Sequence, residues 1–90
     1  MDFAGLPGGE LIQRGVRELE QKQETVAALL VSIGAPRLRR LGVLLPATFT
    51  EPEHRLYQLL SKTEGNAAHS RYNALVRRLV SFEHAAECGR

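Results

Sequence analysis

Residues 10–33 read ELIQRGVRELEQKQETVAALLVSI, and this stretch decides the fold. Ile12, Val16, Leu19, Gln23, Val26, Leu30 and Ile33 follow one another at alternating steps of four and three. That spacing keeps one stripe of a helix apolar and is the seam of a helix lying lengthwise along another. It predicts one helix over residues 10–33, on the order of 36 Å long at the α-helical rise. Up to Glu24 only the stripe is apolar. From Val26 onward Leu29, Leu30, Val31 and Ile33 spread round most of the circumference, so the second half should be buried on several sides, by its own chain or by another copy. Gln23 interrupts the seam, as polar residues that fix register or oligomer state do. Arg14, Glu18 and Lys22 stand four apart on the outer face, where opposite charges pair for a few tenths of a kcal/mol.

Outward from this stretch, the glycines and prolines punctuate the chain. Gly5, Pro7, Gly8 and Gly9 mark residues 1–9 as a flexible leader ahead of a single all-helical domain over residues 10–90. Gly34 has the character of a helix C-cap and Pro36 of a first-turn residue, which predicts a short Arg-rich helix over residues 36–45, stopped by Pro46. Thr50 and Glu53 have capping-box spacing around Pro52, predicting a third helix over residues 51–62. Gly65-Asn66 breaks it. A fourth helix over residues 67–87 presents Tyr72, Leu75, Val76, Leu79, Phe82 and Ala86 on one broad face. The expected fold is all-α: a long amphipathic helix, a short basic one and a pair joined at Gly65, assembled as a helical-bundle dimer.

Composition narrows the function. Ninety residues make one domain whose core is marginal for a monomer, and dimerisation is an ordinary remedy. With no Trp, three Phe and two Tyr, the core must be aliphatic. Net charge is only +2, less than a dedicated nucleic-acid binder usually carries. One cysteine, Cys88, permits no intrachain disulfide and suits a reducing compartment. Without a basic N-terminal region or a long apolar run, the expected location is the cytoplasm, with no membrane partner.

Chemistry-bearing residues are sparse. His84 and Cys88 stand four apart, two ligands where a structural zinc site wants four. Neither Cys88 nor Ser70 has an orienting base and third group at readable spacing. Gly5-Leu6-Pro7-Gly8-Gly9 lacks the Lys-Ser/Thr ending of a phosphate loop. The expectation is therefore no enzyme, no catalytic residue, no metal and no cofactor. The basic residues are the other candidate surface: Arg37, Arg39 and Arg40 lie on a segment without acids, Arg71 and Arg78 share an edge of the last helix, and Arg77 faces elsewhere. They border the apolar face, or contact an acidic partner or phosphates.

The stretch Phe49-Thr50-Glu51-Pro52-Glu53-His54-Arg55-Leu56-Tyr57-Gln58-Leu59-Leu60, with Gly65 and then Ser70-Arg71, resembles the helical core of response-regulator winged-helix domains over about 25 residues. Those show an L-T-x-x-E-x-x-L-L opening and a later G-x-x-x-S-R. Here the spacing from Gly65 to Ser70 is one residue longer. The resemblance implies Arg71, Asn73, Arg77 and Arg78 as DNA contacts on a helix-turn-helix-like segment over residues 50–80. The leading expectation remains a small regulatory protein-protein interaction module, a regulator, adaptor or inhibitor that pairs as a homodimer through the seam and binds a larger protein partner. A small DNA-binding transcriptional regulator is the alternative.

Overall fold

A computed structural model describes Phe3 and residues 5–88; Met1, Asp2 and Ala4 of the expected leader lie outside the described residues, as do Gly89 and Arg90. Four α-helices follow one another: α1 Gly9–Glu20, α2 Val26–Arg40, α3 Pro52–Glu64 and α4 Ala68–Cys88, with a single 3-10 turn at Gly65–Ala67 between the last two. Among the described residues there is no strand. The all-α expectation holds, and the helix boundaries differ in three places.

The helix expected over residues 10–33 is two helices. At its first break Gln23 N–H donates to the Glu18 carbonyl (2.9 Å) and Lys22 N–H to that of Leu19 (3.0 Å). This is a Schellman ending, with Lys22 in the left-handed position at φ 59°. Two residues on, Thr25 caps α2: its hydroxyl accepts from Ala28 N–H at 3.1 Å and donates to Glu18 Oε1 at 2.7 Å. Glu18 is thus held by Thr25 instead of forming the expected Arg14 or Lys22 pairs. α1 folds back on α2, and each covers the other's apolar face. Their backbones come very close at Gly15, where a Cβ would sit 2.4 Å from the Ala27 carbonyl oxygen.

Residues 36–40 of the helix expected over residues 36–45 are the C-terminal part of α2, which runs through Gly34 and Pro36 without ending, and residues 41–45 lie beyond it. Its stop lies at Gly42, φ 98°, where Gly42 N–H bonds the Arg39 carbonyl and Val43 N–H that of Leu38. Gly34 instead lets α4 approach: a Cβ there would meet Leu79 at 2.8 Å and Glu83 Oε2 at 3.0 Å. The capping box is the third difference. Pro52 disfavours the helical conformation at Glu51, which adopts φ 49° and forms the N-cap with no side-chain bond, one residue later than Thr50 would require.

α2 is the spine. It packs against α1, α3 and α4, and Ala27, Ala28, Leu29, Leu30, Val31 and Leu38 are fully buried. The several-sided burial read from the sequence is satisfied within one chain. Ile12 and Leu19 reach this core from α1, Leu56 and Leu60 from α3, and Leu75, Leu79 and Phe82 from α4. Phe3 and Leu6 pack against it too, and the Phe3 ring meets Phe82 edge-on at 5.5 Å between centroids. The radius of gyration, 12.5 Å, matches the roughly 12 Å of a folded domain of this length.

Candidate functional site

The seven seam residues do not form an outer face. Ile12, Leu19 and Leu30 are core; Val16, Val26 and Ile33 pack half-buried against it; Gln23 is exposed in the turn between α1 and α2. Because the chain reverses at residues 21–25, the two halves of the seam face each other, and Gln23 falls outside any helix seam.

Nor do the six arginines read from the sequence converge. Arg37 bridges α2 to α4, pairing with Glu87 and standing 3.8 Å from Glu83. Arg39 donates to the Pro46 carbonyl at 2.9 Å, and Arg40 adds its charge to the field on Glu83 and Glu87. These three hold the end of α2 in place. Arg71 stands 3.7 Å from Glu64 across the 3-10 turn, while Asn73 hydrogen-bonds His69 one turn back (3.3 Å). Arg77 and Arg78 are exposed and have no ion-pair partner among the described residues.

Arg14, which the sequence reading placed on the outer face of the first helix, and Arg17, which it did not single out, join Arg78. Arg14 and Arg17 of α1 line one cleft with it, about 430 Å³, together with Glu10, Leu11 and Gln13. Neither has an ion-pair partner among the described residues. α1 is held there because Gly8, left-handed at φ 73°, lies against the backbone of Arg78. Arg77 and Arg78 border a second, smaller hollow with Pro7, Gly8 and Ser81. Their i, i+3 spacing could have grouped Arg14 and Arg17; nothing in the sequence ties them to Arg78, 61 positions further on.

A further concave surface is apolar. Between α2 and α4, Ile33, Pro36, Val76, Leu79 and Val80 enclose a groove of about 290 Å³. Val80 is a large apolar side chain left 48% exposed beside it. Its floor carries Glu83, only 5% exposed. Burial pushes the Glu83 carboxyl above the usual carboxylate range, against the opposing pull of Arg37 and Arg40. The hydrogen bond from Arg37 holds the neighbouring Glu87 below that range. Glu83 stands four residues after Leu79 and seven after Val76, so helical spacing alone places it on the apolar face.

His84 Nε2 and Cys88 Sγ are 3.8 Å apart on the exposed side of α4. Among the described residues no group of three or more metal-ligating side chains comes together, and no helix is long and apolar enough to cross a membrane. No family model matches the chain, and neither a curated protein nor a solved structure matches it.

Proposed function

We propose that this chain is a non-enzymatic helical interaction module, a regulator, adaptor or inhibitor that seats an apolar helix face of a larger protein in the groove between α2 and α4. The observation that supports it is the exposed Val80 beside Ile33, Val76 and Leu79: an apolar recess rimmed by Arg37 and Arg40, whereas the other exposed large apolar side chains, Leu44 and Tyr57, line no such recess. Grooves of this kind take partner helices by their i, i+3, i+4 anchors. A second copy of the chain is the other candidate occupant, and the homodimer expected from the sequence would then form through this groove instead of the seam.

Val80→Glu tests the reading, because the residue is exposed enough to change without unfolding the chain. Nuclease-treated affinity capture from the native host, and sedimentation of the purified protein, should show a bound protein or a dimer for the wild type that the variant loses. A partner retained by the variant would move the interface elsewhere. The DNA-binding reading is favoured by one observation, the grouping along α1 and α4 of Arg14, Arg17, Arg77 and Arg78, which have no ion-pair partner among the described residues. It requires affinity for DNA that falls steeply with salt and collapses in an Arg71→Glu/Arg78→Glu variant.

A further inference from the structure

The described arginines sort into two groups. Arg37, Arg55 and Arg71 are ion-paired, Arg39 is hydrogen-bonded and Arg40 is engaged. Arg14, Arg17, Arg77 and Arg78 have no ion-pair partner among the described residues; Arg14 and Arg17, along α1, share a cleft with Arg78 of α4, and Arg77 stands beside Arg78 at the neighbouring hollow. A guanidinium is a planar fork suited to phosphate oxygens. Three of them around one recess, opposed by the single carboxylate of Glu10, leave it net positive. The same recess borders the first turn of α1, whose earliest intrahelical bond is that from Ile12 N–H to the Gly8 carbonyl. The amides of Glu10 and Leu11 precede it, and such amides favour anions.

From this we infer that the α1–α4 cleft binds a compact phosphate ligand, a diphosphate or triphosphate group gripped by Arg14, Arg17 and Arg78. Three features favour a small ligand over a nucleic-acid track. The cleft volume of about 430 Å³ falls within the range of small-ligand sites, roughly 300–1,000 Å³. Its lining includes no aromatic ring on which a base could stack. Arg37, Arg39 and Arg40, which an extended strand would need, are engaged at the end of α2. The inference stands on the arginine cleft alone and does not depend on the groove between α2 and α4.

Calorimetric titration of the whole chain with inorganic pyrophosphate, at low and at near-physiological salt, tests it. The wild type should show saturable one-to-one binding. Arg14→Gln and Arg78→Gln should each weaken it about tenfold, the loss of one or more charge-assisted hydrogen bonds. Arg71→Gln, outside the cleft, should bind like the wild type, and none of the three exposed substitutions should shift the melting temperature without ligand. Backbone amide shifts on titration should fall at residues 10–17 and near residue 78. Absence of saturable binding, an equal loss in Arg71→Gln, or binding of DNA fragments without binding of pyrophosphate would each overturn the inference.

Discussion

Glu83 is the residue at which charge and packing conflict most. Its carboxyl lies under the α2–α4 groove, held above the usual range because burial disfavours the anion more than Arg37 and Arg40 favour it. The folded chain therefore holds this proton more tightly than the unfolded chain does. The stability it contributes is complete below the ordinary carboxylate value of 4.5 and is lost as pH rises through the raised one. Glu87 has the opposite sign: lowered by Arg37, it contributes stability above 4.5 that disappears as pH falls through its lowered value. Glu83→Gln should thus be more stable than the wild type at pH 7 and lose stability more steeply on acidification. Glu87→Gln should instead be less stable than the wild type above 4.5, with the deficit shrinking as pH falls through the lowered value. Melting curves of both variants from about pH 3 to pH 7 check the two slopes.

Among the elements, the turn at residues 21–25 has the largest consequence, because it makes a hairpin of a periodic run. Lys22 occupies a left-handed position usually taken by glycine, at a cost of roughly 1 kcal/mol for a side chain. Lys22→Gly should stabilise the protein by up to about 1 kcal/mol, and Thr25→Ala, removing the α2 cap, should destabilise it by about the same amount. Denaturant titration reads both. If Lys22→Gly lowers the midpoint, the left-handed turn is not the fold's reversal point. Gly15 tests the packing that the turn enforces. A methyl there meets backbone, so Gly15→Ala should cost about 1–3 kcal/mol despite alanine's better helix propensity. At Gly34 the nearest atoms belong to the Leu79 and Glu83 side chains, which can move, and the same change there should cost less.

For the whole molecule, the reversal turns the seam from an external surface into the core. Leu30, fully buried on the spine helix, contacts its own chain on all sides. Leu30→Asp should therefore abolish the cooperative thermal transition, since a desolvated charge would have no partner. A folded Leu30→Asp protein that only loses a second copy in sedimentation would place the seam on the outside. The interface proposed above would use a surface left open, the Val80 groove, which lies on a different side of α4 from the arginine cleft.

By itself the sequence determined the helical class, the aliphatic core and most of its larger members, and the turn at Gly65, because these follow from the period of apolar residues and from backbone preference at single positions. Leu75, Leu79 and Phe82 were legible in that way; the buried Ala27, Ala28, Ala35 and Ala68 were not read from the sequence. Only the tertiary structure decided that residues 10–33 fold back on themselves. A heptad pattern is equally satisfied by a partner helix and by its own second half, and the left-handed Lys22 that selects the second case has no glycine to announce it. The same holds for the cleft of Arg14, Arg17 and Arg78 and for Glu83 beneath its groove. Each depends on how close α4 comes to α1 or α2, and that distance is set by Gly8 and Gly34 through packing, which no spacing along one helix encodes.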